Sequence, residues 1–470
     1  MPTSSPSNVS PLPPSAAWGP GGNGHATASP ADLQVALVHD WLPVYAGAER
    51  VLEHMIHAAP DAALYSLIDF IPDEQRGFLQ GKPVETSFLQ RLPWARTKYR
   101  YYLPLAPLAI EQFDLSEHDV VVSSSYAVAK GLLTRADQLH VSYVHSPIRY
   151  AWDLYPEYMK PLRGPRRWLA QLVLHYLRLY DAATASRVDC FVANSRHVAR
   201  RIWKTYRRPA RVIYPPVDVD RFAMQAEKED YYLAMSRLVP YKRLDLIVEA
   251  FSTMPDKELI VIGDGPERDR LERLAGPNVT LLGYQPNDAV AYYMQNARAF
   301  VFAAEEDFGI LPVEAQACGT PVIAYGCGGA LETVRPGETG LFFPRQTVEA
   351  LVAAVHTFEK QRARFEPEVL RAHAESFAPH RFRAAFRQVL ADAHHEFTHA
   401  MAQRGPLQTV GAPTGAGAPT PASADDMPDD VPDGEAYGGD SGVGASPVSN
   451  QSPTSTGSNE SRIGVSDASS

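Results

Sequence analysis

Short apolar runs alternate with stretches of helical spacing through the middle of this 470-residue chain. Val35–His39 is the first such run, and it ends in a loop, as a buried parallel strand does. Glu49–Ala59 follows with the spacing of a helix. Val120–Ser123, Val141–His145, Cys190–Ala193 and Val212–Tyr214 read as further strands. Pro215-Pro216-Val217-Asp218 is a stiff turn and a natural hinge. The pattern then restarts. Strands are predicted at Tyr232–Met235, Leu259–Ile262, Val279–Leu282 and Ala299–Phe302, and helices at Leu244–Phe251 and Arg268–Leu274. Two successive series of βα units predict two doubly wound parallel sheets, whose ligands bind beyond the carboxyl ends of the strands.

The ends break this pattern. Residues 1–32 and 404–470 are low in large apolar side chains and rich in Pro, Ser, Gly and Ala, so both are expected to be disordered. The tail accounts for most of the formal charge of −10: after Arg404 it holds nine acidic residues against the single base Arg462. The body is therefore near neutral, which argues against nucleic-acid binding. Residues 1–32 lack the basic start and apolar core of a signal peptide, and no run of about 18 apolar residues predicts a membrane span. Cys190, Cys318 and Cys327 show no metal-ligand spacing, and a cytoplasmic location is expected.

The candidate chemistry sits at the predicted strand ends. Ser236–Arg243 places Arg237 and Lys242 between a strand and a helix, where a planar fork and a point charge suit a diphosphate. The bland alternative is a solvated basic helix start. Glu306 and Glu314 bracket a short turn that opens a helix, with Glu314 about two turns in. That helix stops at Gly319-Thr320-Pro321. The amides of Phe308, Gly309, Ile310 and Leu311 would face phosphate and sugar at the positive end of the helix dipole. Two acids favouring that dipole is the plain alternative. Gly263-Asp264-Gly265-Pro266 is a turn after a strand. Tyr284 is either a base-stacking residue or a half-buried loop aromatic. In the first half, Ala46-Gly47 forms a small-residue turn into a helix, with Gly47 supplying an unusual backbone angle. His145 ends a strand before Ser146-Pro147 and points into a cleft, unless it is only a structural strand-end residue. No Ser-His-Asp or Cys-His set is apparent. No G-x-G-x-x-G follows the first strand, which disfavours a dehydrogenase.

The run from Glu306 to Glu314, continuing through Cys318-Gly319-Thr320-Pro321-Val322-Ile323, resembles the Glu-x7-Glu signature of retaining glycosyltransferases of family 4, which have the GT-B fold. The resemblance extends over residues 33–400. It implies an α/β protein of two facing Rossmann-like domains with a cleft between them. The expected boundaries are an acceptor domain at 33–216, a nucleotide-sugar domain at 217–378 and a helix at 379–403 crossing back to the first domain. It further implies that Arg237 and Lys242 neutralise the departing diphosphate, that Glu306 and His145 contact the donor sugar, and that Glu314 binds the ribose. No protein nucleophile, metal or cofactor is expected. Asp218-Val219-Asp220 spells the Asp-x-Asp of metal-dependent transferases but lies in the hinge, where it reads as turn chemistry.

His145–Asp153 and Glu305–Gly309 most resemble mannosyltransferases of bacterial O-antigen or exopolysaccharide synthesis. The implied donor is GDP-mannose, with UDP-glucose or another UDP-sugar next. The implied acceptor is a polyprenyl-diphosphate-linked saccharide. A non-catalytic nucleotide-binding scaffold is the alternative class. Arg163–Tyr180 carries Arg163, Arg166 and Arg167 beside a stripe of Leu169, Leu172, Val173, Tyr176, Leu177 and Tyr180. Such a helix either buries its stripe in the core, the preferred reading, or lies peripherally on the cytoplasmic face of the inner membrane.

Overall fold

The computed structural model describes residues 33–403, so the expected disordered segments 1–32 and 404–470 lie outside the described residues. Two parallel sheets organise the rest. The first holds β1 (Val35–His39), β2 (Ala63–Ser66), β3 (Val84–Thr86), β4 (Val120–Ser125), β5 (Leu139–Val144), β6 (Cys190–Ala193) and β7 (Arg211–Val212), in the order β3-β2-β1-β4-β5-β6-β7. The second holds β8 (Tyr231–Met235), β9 (Glu258–Ile262), β10 (Val279–Gly283), β11 (Ala299–Phe302), β12 (Val322–Tyr325) and β13 (Gly340–Phe343), ordered β10-β9-β8-β11-β12-β13. This is the two-domain GT-B arrangement.

Helices cover both faces of each sheet, which is why its strands read as unbroken apolar runs. β4 and β5 are buried along their whole length although they contain Ser123 and His140. Those two polar side chains satisfy each other, Ser123 Oγ lying 2.9 Å from His140 Nε2. The predicted strand at Val212–Tyr214 is shorter and earlier than expected, because the adjoining Pro215 and Pro216 supply no amide to extend an edge pairing.

The chain crosses between the lobes twice. Val217 donates its backbone N–H to the carbonyl of Phe377 at 2.9 Å, pinning the two crossings together. The last helix is Pro379–Gln403. It buries Phe382, Phe386, Leu390 and Ala393 in the core of the first lobe.

The amphipathic helix departs from its expected placement. Gly164–Thr184 buries Leu174 and Leu177. Leu169, Leu172 and Tyr176 of the predicted core stripe are exposed, together with Trp168 and Leu179. The helix has two apolar faces, and the predicted stripe straddled both. Among the described residues no helix is long and apolar enough to cross a membrane.

Candidate active site in the interlobe cleft

In each sheet the strand order reverses between two neighbours: β1 and β4 in the first lobe, β8 and β11 in the second. Loops leaving the carboxyl ends of such a pair diverge and open a crevice. The sequence candidates cluster at these two points. Gly47 follows β1, and His145 lies one residue past β5. Arg237 follows β8, and Glu306 follows β11.

The second lobe supplies the charges. Gly309 takes a φ of +87° and caps the helix Ile310–Ala317. That left-handed cap delays the helix, so Glu314 falls early in its second turn rather than two turns in. Phe308 contributes its backbone to the cleft, while its ring is buried and stacks on Tyr214 at 5.7 Å. Lys242 Nζ donates to Glu306 Oε1. The Arg237 loop is held by tight backbone approach. A Cβ at Gly263 would overlap the carbonyl oxygen of Ser236, so the Gly-Asp-Gly turn supports the cation-bearing loop.

The first lobe faces these groups with a buried polar chain. His145 Nε2 lies 2.9 Å from Ser124 Oγ, which is 3.0 Å from His39 Nδ1. His39 Nε2 lies 3.5 Å from Glu49 Oε1, and Glu49 also accepts the Ala46 amide at 3.0 Å. The parallel register, which sets His39 beside Ser124, builds the hydrogen-bonded part of this chain, from His145 to His39. Burial, aided by His39, lowers the His145 pKa to about 3. The ring is therefore neutral at neutral pH and suited to a hydrogen bond with a hydroxyl. Gly47 does not supply an unusual backbone angle: it is the first residue of a regular helix and lies outside the positive-φ set. A Cβ there would sit 3.9 Å from Ile310 of the opposite lobe, so what the glycine gives is room at the mouth of the cleft.

Polar bridges span the cleft. Arg50 Nη1 donates to Glu314 Oε1 at 3.0 Å. Arg201 donates to Asp307, and Arg149 lies 3.5 Å from the same carboxylate. Glu332 accepts the amides of Arg196 and His197 at 2.8 and 2.9 Å, capping a helix of the first lobe with a carboxylate of the second. Arg50, Arg149, Arg201 and Asp307 were not among the sequence candidates. Arg50 lies one turn beyond Gly47 and Asp307 lies within the signature run, so both were adjacent to the signal.

Three chambers divide the cleft. The central one, about 440 Å³, is lined by Gly47, His145, Lys242, Glu306, the turn Phe308–Leu311 and Glu314. A second, about 430 Å³, is lined by Arg237, Asp264, Tyr284 and Gln285, and shares Arg50, Leu311 and Glu314 with the first. Tyr284 stands at its edge, 78% exposed, so the half-buried alternative does not hold. The third, about 560 Å³, shares Arg149 and Tyr241 with the central chamber and none of its lining with the second. All eleven sequence candidates thus line two joined chambers, Arg237 and Tyr284 in one, Glu314 and Leu311 in both, and the others in the central one. Cations and amides there can hold a diphosphate, with carboxylates and a neutral imidazole for hydroxyls.

Residues 45–221 match the family model described as Glycosyltransferase Family 4, and residues 218–378 match the one described as Glycosyl transferases group 1. The GDP-mannose-dependent alpha-(1-6)-phosphatidylinositol monomannoside mannosyltransferase of Mycolicibacterium smegmatis is 34% identical over 173 residues, which are 30% of this chain and 44% of that relative. A D-inositol 3-phosphate glycosyltransferase of Mycobacteroides abscessus is 30% identical over 201 residues, 37% of this chain and 45% of its own. The matched stretch thus spans less than half the length of these curated relatives. The sucrose-phosphate synthase of Thermosynechococcus elongatus superposes with a TM-score of 0.60 at 19% identity, over 77% of this chain and 100% of that one. Anabaena HepE in complex with UDP and glucose superposes with a TM-score of 0.57 at 19% identity, over 76% and 99%. At such identities the likeness shows the fold alone.

Proposed function

We propose that this chain, which belongs to glycosyltransferase family 4, is a retaining hexosyltransferase that moves mannose from GDP-mannose to a lipid-linked saccharide. The observation that carries this reading is convergence. Arg237 and Lys242 come from the segment after β8, Glu306 and Glu314 from the turn and helix after β11, and all four line joined chambers at the carboxyl edge of one sheet. A scaffold has no need of two cations at the place where a leaving diphosphate accumulates charge.

The roles follow from the chemistry of each group. Arg237 and Lys242 stabilise the departing nucleoside diphosphate, aided by the amides of Gly309, Ile310 and Leu311 at the helix N-terminus. Glu314 binds the ribose and Tyr284 stacks on the base. Glu306 and the neutral His145 hold hydroxyls of the transferred sugar. The acceptor hydroxyl attacks the face that the diphosphate leaves, and a leaving phosphate oxygen takes its proton. No step calls on a metal, a cofactor or a protein nucleophile. The mannose assignment is supported by the mannosyltransferase named above and by a second, from Corynebacterium glutamicum, 37% identical over 131 residues, 34% of that relative.

A lipid-linked acceptor is supported by the amphipathic helix. Trp168 and Leu179 are 66% and 59% exposed on the face that also carries Leu172, and Arg163, Arg166 and Arg167 adjoin it. An apolar face with a basic flank suits peripheral contact with an anionic lipid surface.

A thermal-shift panel of GDP, UDP, ADP, dTDP and their sugars tests the donor. A nucleotide at about 100 times its dissociation constant adds roughly 2.7 kcal/mol to stability. The expected result is a selective shift with GDP and GDP-mannose that is lost in Arg237→Ala. A selective UDP response overturns mannose from GDP-mannose and retains the enzyme class. Silence with every nucleotide overturns the transferase reading.

A further inference from the structure

The third chamber has no part in donor binding as described, yet it opens onto the central one. We propose that it is the acceptor site and that it takes a neutral sugar residue of the acceptor, an inference that rests on the transferase reading above. The first argument is position. The central chamber shares one set of walls with the Arg237 and Tyr284 chamber and a different set with the third, so the third lies across the central chamber from the nucleoside. In the same-face attack described above, the acceptor hydroxyl must arrive beside the leaving diphosphate, and the third chamber joins the central one at Arg149 and Tyr241, the latter next to the diphosphate cation Lys242.

The second argument is charge. The lining holds the cations Arg149, Lys160, Arg201 and Arg243 and the carboxylates Asp153, Glu157 and Glu305. Most are already matched. Arg201 pairs with Asp153 and Asp307, Lys160 lies 3.9 Å from Glu157, and Arg243 donates to Gln346 at 3.2 Å. With Asp307, which holds Arg149 and Arg201, and Asp245, which holds Arg243, counted beside the lining, a polyanion would meet no surplus of positive charge here. A hydroxyl-rich ligand instead finds donors and acceptors interleaved, with Leu154, Pro240 and the Tyr241 ring to cover the C–H face of a pyranose.

The third argument is an unmet donor. Arg149 Nε is buried without a hydrogen-bond partner, although its guanidinium is fixed by Asp307 and by the Tyr241 ring, 5.7 Å from its centroid. A buried polar atom without a partner calls for one, and beside an open chamber a ligand hydroxyl can supply it. The wall from Asp153 to Lys160 also runs directly into the helix with the exposed apolar face, so a saccharide seated here lies near a surface suited to its lipid.

Saturation-transfer NMR on the full chain tests this, with GDP or UDP present, whichever stabilises the protein. The probes are methyl α-D-mannopyranoside, methyl α-D-glucopyranoside and methyl β-D-galactopyranoside. At least one is expected to receive saturation from the wild type. Its dissociation constant should rise tenfold or more in Leu154→Trp, which pushes an indole into the chamber. It should also rise in the double variant Glu157→Ala/Lys160→Ala, whose exposed positions leave the fold intact. The nucleotide shift should match the wild type in both. Saturation transfer that survives both variants, or none to any glycoside in a wild type that binds nucleotide, overturns the chamber assignment and leaves the transferase reading standing. A wild type that binds no nucleotide overturns both.

Discussion

Two lysine–carboxylate pairs in this molecule share one chemistry and have opposite surroundings. Lys130 and Asp181 are 2.7 Å apart in the first lobe, with side chains 2% and 1% exposed. Every donor on Lys130 is occupied: it also reaches the Asp181 carbonyl at 2.7 Å and Thr184 Oγ1 at 3.0 Å. Asp181 in turn accepts from the Trp152 indole and the Tyr206 hydroxyl. Lys242 and Glu306 face the cleft instead. Among the described residues Glu306 is the one hydrogen-bond acceptor of Lys242, which leaves two ammonium protons for a ligand. A saturated pair ties elements together, whereas an unsaturated pair beside an open chamber is ready to exchange partners with a phosphate or a sugar.

The largest expected effect breaks the saturated pair. Lys130→Met leaves the Asp181 carboxylate buried and unmatched, which should cost about 3–5 kcal/mol in chemical denaturation. Transfer by the remaining folded protein should change little. Lys242→Ala should do the reverse: kcat/KM falls by roughly 10²–10³, about 2.7–4 kcal/mol at the transition state, with a melting temperature near that of the wild type. A Lys242→Ala protein that melts early and transfers normally would erase the distinction.

The Arg201–Asp307 bridge lies between these extremes, since it ties one lobe to the other beside Glu306. Arg201→Ala and Asp307→Ala are each expected to lower kcat/KM. The double variant should lose less than the sum, with a coupling energy of about 1–2 kcal/mol. Strict additivity would mean that the two side chains do not act through each other.

How far these contrasts were legible in the sequence depends on how local their causes are. Parallel strands buried on both faces leave apolar runs, so β1, β4, β8 and β11 were visible, and with them the carboxyl edges where ligands bind. Arg237, Lys242, Glu306 and Glu314 lie in short motifs whose spacing carries their meaning. Arg149 and Arg201 lie 52 positions apart and meet Asp307 only because the two lobes face each other. Arg149 lies within the His145–Asp153 run without its role being legible there, and nothing in the local sequence marks Arg201 among 44 basic residues. Gly47 was found for a conformational reason that does not hold. Its φ is ordinary, and its value lies in a contact with Ile310 that only the folded cleft reveals. The amphipathic helix was misassigned because apolar spacing gives a period without saying which of two apolar faces the core will take.

The smallest expected effect concerns two histidines, one in the cleft and one inside the sheet. Burial lowers His145 to about 3 and His140 to about 4, against an unfolded value near 6.5. The folded state keeps both rings neutral while the unfolded chain protonates them. The stability they allow is therefore fully present above pH 6.5 and is lost as the pH falls from there toward 4. Between pH 7 and pH 6 the loss should be about 0.7 kcal/mol for each ring, measurable by denaturant titration at the two pH values. His140→Gln should remove one ring's share of that dependence. A ring at about 3 has no protonation step within the working range, so His145 should add no limb to the kcat/KM profile between pH 5 and pH 8. A limb near pH 6.5 that vanished in His145→Gln would show that the cleft solvates this ring far better than the sheet solvates His140. The contrast between closed and open surroundings would then extend to the histidines as well as the lysines.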